Sequence, residues 1–105
     1  MISNKKVKTG LVKGYYKNGK LSSIVSYKNG KKNGLCKHYL RNGKLRAIGK
    51  FSKGKMNGRW KWYREDGKLW QIGNFKDNKK NGSWVIYDKK GKPYSSSKFK
   101  DNKKI

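Results

Sequence analysis

Negative charge is scarce in this chain of 105 residues. Five Asp and Glu stand against 30 Lys and Arg, a formal net charge of +25, and Glu65 is the only glutamate. So few carboxylates leave little material for general acid–base chemistry, and a divalent cation is poorly served by so positive a field. His38 is the only histidine, which excludes a catalytic histidine pair and a histidine-rich metal site. Cys36 is the only cysteine, so no intrachain disulfide forms, and a packing role is expected for it. No apolar run reaches transmembrane length, no signal-peptide core follows Met1, and a cytoplasmic protein is expected. The 13 glycines leave no stretch with a sustained helical apolar face. They belong to turns, and none opens a helix that would hold a nucleotide. These absences predict a non-catalytic protein with no metal and no cofactor.

Hydrophobic residues make up only 32% of the chain, a share compatible with disorder. The 14 aromatics argue otherwise, because they sit on a lattice. From residue 10 to 105 one 24-residue unit is written four times without insertion or deletion. Tyr15, Tyr39, Tyr63 and Tyr87 share a column, as do Tyr27, Phe51, Phe75 and Phe99. Gly19-Lys20-Leu21, Gly43-Lys44-Leu45, Gly67-Lys68-Leu69 and Gly91-Lys92-Pro93 recur at one point of the unit, and Asn33-Gly34, Asn57-Gly58 and Asn81-Gly82 mark junctions. A unit this short cannot bury its own apolar face, so neighbours must stack.

Each unit reads as two strands, such as Gly58-Arg59-Trp60-Lys61-Trp62-Tyr63 and Leu69-Trp70-Gln71-Ile72-Gly73-Asn74-Phe75. Asn18-Gly19, Asn42-Gly43, Asp66-Gly67 and Lys90-Gly91 lie between the two and predict type I′ turns. The second connection, as from Lys76 to Gly82, reads as longer and polar. The expected fold is all-β: an elongated, single-layer antiparallel β-meander of four stacked hairpin repeats, about eight strands in one row. Its boundaries are a cap or frayed segment at 1–9 and a repeat domain at 10–105, divided into 10–33, 34–57, 58–81 and 82–105. The columns Leu21/Leu45/Leu69, Ile24/Ile48/Ile72 and Tyr27/Phe51/Phe75/Phe99 are expected to form apolar ridges that hold the stack together. In the last copy Pro93 replaces leucine and Ser95-Ser96-Ser97 the Ile-Gly region, as suits a terminal repeat.

The run Gly58-x-Trp60-x-x-Tyr63, then Asp66-Gly67-Lys68-Leu69, then Phe75, then Asn81-Gly82, resembles MORN repeats, in the shorter-motif variant common in bacteria. The first copy fits more loosely, with Val12 in the tryptophan column. The resemblance covers about nine-tenths of the chain. It implies a stacked-hairpin fold and an interaction or scaffold role. Some such repeats are implicated in binding anionic phospholipid, and an antitoxin-like label attached to many bacterial members implies a protein partner.

The basic residues also fall in columns. Lys20/Lys44/Lys68/Lys92, Lys31/Lys55/Lys79/Lys103 and Lys13/Lys37/Lys61 become ladders of positive charge spaced by about 10 Å on stacked hairpins. Residues 1–64 hold 19 Lys and Arg and no acid, while residues 65–105 hold 11 Lys and all five acids. Self-repulsion on this scale implies a polyanionic partner. The candidate contacts are Lys13, Lys20, Lys31, Lys37, Arg41, Lys44, Arg46, Lys50, Lys53, Lys55, Lys61 and Lys68. Trp62 and Trp70 join them as residues that either anchor an interface or widen the core. An acidic protein is the first expectation, the phosphate backbone of nucleic acid the second, and an anionic phospholipid surface the third. With only four arginines, base readout is disfavoured.

Overall fold

Two kinds of turn alternate along the chain and set the lengths of the strands between them. Asn29-Gly30, Lys53-Gly54, Asp77-Asn78 and Asp101-Asn102 carry positive φ at both residues, the geometry of a two-residue type I′ hairpin. The loops at 16–20, 40–44, 64–68 and 88–92 close differently. The Gly19 N–H donates to the Tyr16 carbonyl at 2.9 Å and the Tyr16 N–H to the Lys20 carbonyl at 2.8 Å, and the same pair of bonds recurs in the other three. Only the glycine of each loop is left-handed. The type I′ turns expected at Asn18-Gly19, Asn42-Gly43, Asp66-Gly67 and Lys90-Gly91 are therefore corrected to this longer loop. In the first three loops side-chain competition is the reason. Oδ1 of Asn18, Asn42 and Asp66 each accepts the N–H two residues on at 2.9 Å, so the residue before glycine serves as an Asx turn at negative φ.

Asn33-Gly34, Asn57-Gly58 and Asn81-Gly82, where one copy passes to the next, form no turn. They lie inside or between strand segments, where glycine takes a φ of 100°, 76° and 100° in turn. Val25 pairs with Cys36 and Tyr27 with Lys32, so three residues of one strand bulge opposite Ser26 alone.

The computed structural model describes residues 8–105. The strands are β1 (Gly10–Tyr15), β2 (Leu21–Lys28), β3 (Lys31–Tyr39), β4 (Leu45–Ser52), β5 (Lys55–Tyr63), β6 (Leu69–Lys76), β7 (Lys79–Lys80), β8 (Gly82–Tyr87), β9 (Pro93–Lys100) and β10 (Lys103–Lys104). All pairings are antiparallel between neighbours in the chain, except that β6 pairs with both β7 and β8. The count exceeds the eight expected because the bulge at Asn81 splits one strand into β7 and β8, and because β10 adds a final ladder to β9. The sheet measures 57 × 36 × 15 Å, one layer thick. Its radius of gyration of 16.2 Å exceeds the roughly 13 Å of a compact domain this size.

Successive repeats are bonded along the type I′ edge as well as through the sheet. The N–H groups of Gly30, Gly54, Asn78 and Asn102 donate to the carbonyls of Lys8, Lys32, Met56 and Lys80, at 2.8–3.0 Å. Asn33 and Asn57 add side-chain bonds, their Oδ1 atoms accepting from the N–H of Lys53 and Asp77 in the next hairpin. Lys8 and Thr9 take part, Thr9 Oγ1 accepting from the Asn29 N–H. The last two residues of the expected 1–9 cap thus belong to the first repeat, and the rest of it lies outside the described residues.

Because side chains alternate and cross-strand partners share a face, the pairing register divides the expected ridges between two faces. One face carries Val25, Cys36, Trp60 and Trp84, with Tyr27, Phe51 and Phe75 packed against this buried set. Phe99 touches Trp84 edge-on at the end of the row. Ile24, Ile48, Ile72 and Val85 lie on the other face, each half-buried. The core is therefore a strip along one face. Edge-to-face contacts at 5.2–5.3 Å (Phe51 on Trp60, Phe75 on Trp84) hold it in register, each contributing about 0.5–1.5 kcal/mol beyond area burial.

Candidate partner-binding surface

The cations expected at the surface occupy three separate places. The first is a row across the face opposite the tryptophans. Lys13 pairs with Ile24, Ile24 with Lys37, Lys37 with Ile48, Ile48 with Lys61, Lys61 with Ile72, and Ile72 with Val85. Bulges interrupt other parts of these ladders but not this row. Lysine and aliphatic side chains therefore alternate every ~4.8 Å along the stack, and like cations recur at about 10 Å. That separation is about one Debye length at physiological salt, so the rungs repel one another modestly. Lys50 pairs with Leu35 and Asn57 on the same face. Leu35, Ile48, Lys50, Arg59, Lys61 and Tyr63 line a shallow depression there.

The other two places are the long edges of the sheet. Lys20, Lys44 and Lys68 end the longer loops. The Nζ atoms of Lys44 and Lys68 reach the carbonyls of Asp66 and Lys89 in the following copy at 3.2 and 3.3 Å. These side chains help tie one loop to the next, which leaves them less free for a partner. Lys31 and Lys55 begin strands after the type I′ turns, and Lys53 lies within such a turn at a φ of 50°.

Arg41 stands over the Tyr16 ring, 5.6 Å from its centroid. Arg46 lies beside a cleft lined also by Tyr16, Ser22, Ser23, His38 and Trp62. Trp62 is stacked between Trp60 and Trp84, at centroid distances of 6.2 and 5.6 Å, so packing accounts for much of its ring surface. Trp70 is 41% exposed. The candidate residues thus do not form one patch. Only Lys13, Lys37 and Lys61 share an uninterrupted row on a face.

A fourth set of cations was missed by sequence reasoning. Lys8, Lys32 and Lys80 share a column with Met56, and their ammonium groups stand 5.2, 5.1 and 4.9 Å from the ring centroids of Tyr27, Phe51 and Phe99. Each contributes ~0.5–1 kcal/mol while shielding the aromatic strip from water. The signal was the column itself: Met56, which packs against the buried set, marks it as a core-facing position.

Five acids offset little of the charge of 30 Lys and Arg, and turns employ two of them. Asp66 Oδ1 accepts the Lys68 N–H, and Asp88 Oδ1 accepts the N–H groups of Lys90 and Lys92. Cys36 is fully buried, with Sγ 3.3 Å from His38 Nε2, and burial pushes its thiol above the ordinary range. Burial holds His38 below its usual range, and the charges of Lys32 and Arg46 add to the effect. Among the described residues no three His, Cys, Asp or Glu side chains stand together as metal ligands, and no helix is long and apolar enough to cross a membrane.

The family model of the MORN repeat variant matches residues 8–29, 32–53 and 56–77, which start 24 residues apart, in phase with the type I′ hairpins. A comparison with curated proteins found no match.

Proposed function

Given that the chain belongs to the MORN repeat variant family, we propose that it is a non-catalytic scaffold whose lysine-and-isoleucine face binds an acidic protein. The carrying observation is the row Lys13–Ile24–Lys37–Ile48–Lys61–Ile72, in which a cation is followed by a half-exposed aliphatic side chain at each step. A nucleic-acid backbone would use the lysines and leave the isoleucines without apolar contacts. A polypeptide surface that mixes Asp or Glu with apolar side chains uses both. The net charge of +25 speeds its capture, and the aliphatic positions hold it once docked. Blocking or sequestering such a partner, as an antitoxin-like protein does, needs no chemistry beyond this surface.

A pull-down from cytosol with the full chain tests the reading, washed at low and high salt, with and without nuclease. The expected result is one acidic protein in stoichiometric amount that survives every wash. It is lost with Lys37→Glu/Lys61→Glu and kept with Lys89→Glu/Lys90→Glu, an equal charge change in an exposed loop. Recovery of nucleic acid with a steep salt dependence would overturn the reading in favour of phosphate binding. Capture of anionic vesicles with no protein recovered would overturn it in favour of lipid.

A further inference from the structure

The repeat is least regular where three columns meet beside the loops at 16–20 and 40–44. Ser22 is followed down its column by Arg46, Trp70 and Tyr94, and Ser23 by Ala47, Gln71 and Ser95. Gly14 is followed by His38, Trp62 and Ile86. Ser22, Ser23 and Ala47 are small where the third copy has Trp70 and Gln71. The result is a cleft of about 390 Å³ beside the aromatic strip.

We propose that this cleft binds a phosphate monoester carried on a flat ring, of which a nucleoside monophosphate, free or at the end of a strand, is the simplest example. Arg46 supplies a guanidinium fork suited to phosphate oxygens, and the Ser22 and Ser23 hydroxyls line the same space. Tyr16 supplies ring surface for stacking, and Trp62, already stacked between Trp60 and Trp84, lines the cleft beside it. Tyr16 is held in advance, because its hydroxyl donates to the Tyr39 carbonyl and Arg41 stands over its ring. Burial first, and then the positive charges of Lys32 and Arg46, hold the His38 pKa below its usual range. The volume lies in the range of small-ligand sites. The site owes nothing to the row of lysines on the opposite face, so either proposal can fail alone.

The test is an NMR titration of the ¹⁵N-labelled full chain with AMP, adenosine and inorganic phosphate, following the Trp62 indole and the amides of Ser22 and Ser23. AMP is expected to move these signals, with adenosine and phosphate each at least tenfold weaker. Arg46→Ala, at an exposed position, should weaken AMP at least tenfold, and Lys89→Ala less than twofold. Ser22→Trp, which places the third copy's side chain in the space, should abolish binding. An unchanged thermal midpoint in each variant confirms folding. A 5′-phosphorylated oligonucleotide that outcompetes AMP assigns the site to strand ends, and one that does not assigns it to free nucleotide. Phosphate binding as tightly as AMP, equal losses for Arg46→Ala and Lys89→Ala, or no shift at 5 mM AMP would overturn the proposal.

Discussion

The indole of Trp60 lies over Gly49, so close that a methyl group on the glycine would stand 2.0 Å from the ring. Trp84 lies over Gly73 in the same way, at 2.5 Å. Each indole N–H donates to the carbonyl that follows its glycine, Trp60 to Lys50 at 3.1 Å and Trp84 to Asn74 at 3.0 Å. Burial of the ring and satisfaction of its polar edge therefore depend on one residue having no side chain. Neither glycine is left-handed, so the requirement is purely one of space.

Gly49→Ala and Gly73→Ala are expected to destabilise the fold by about 1–3 kcal/mol each, as overpacking does. Gly14→Ala meets a movable hydroxyl, Ser23 Oγ, and should cost under about 1 kcal/mol. Urea denaturation followed by tryptophan fluorescence checks all three. Equal effects at Gly14 and Gly49 would show that the indoles move aside freely.

The same pairing explains the smaller copy. Eleven residues before Trp60 and Trp84 stand Gly49 and Gly73, whereas eleven before Cys36 stands Val25, its cross-strand partner. Volume is exchanged between the two columns: a large residue over none, or a small one beside a medium one. Cys36→Trp alone should cost about 1–3 kcal/mol through overpacking. Combined with Val25→Gly, which opens the space, it should recover at least about 1 kcal/mol relative to the sum of the single changes. Additive effects in this double-mutant cycle would contradict the exchange.

His38 gives a pH dependence of definite sign. Its folded pKa is lowered, by burial first and then by the charges of Lys32 and Arg46, so the unfolded chain takes up the proton more readily. Its contribution to stability is present above about pH 6.5 and is lost as pH falls through that value toward the folded pKa. The thermal midpoint should drop between pH 8 and 5.5, above the range where carboxylates titrate. His38→Gln should flatten the drop by more than half. A midpoint that rises on acidification would mean the imidazole gains a partner when charged.

The period of 24, the absence of helix among the described residues and the single row of hairpins could be read from the aromatic columns, because each copy repeats the same burial problem. The turn types could not. Asn18-Gly19 and Asn29-Gly30 have the same local propensity, and an Asx hydrogen bond in one and a cross-repeat bond in the other decide between them. Nor did the columns assign faces. The bulge after Asn33 shifts the register, and only the pairing of Lys37 with Ile24 and Ile48 places that lysine opposite the tryptophan strip. The cleft beside Arg46 was hidden for the opposite reason. It exists through departures from the repeat at positions 22, 23 and 38, and a search for the period discards them.

The most direct measurement is amine-reactive labelling of the chain free and in its captured complex, with each lysine quantified by mass spectrometry. Lys13, Lys37 and Lys61 should be protected together by the acidic partner, with Lys89 and Lys90 labelled equally in both states. Protection confined to Lys20, Lys44 and Lys68 or to Lys31, Lys55 and Lys79, with the central row unchanged, would put the partner on an edge of the sheet and contradict the account.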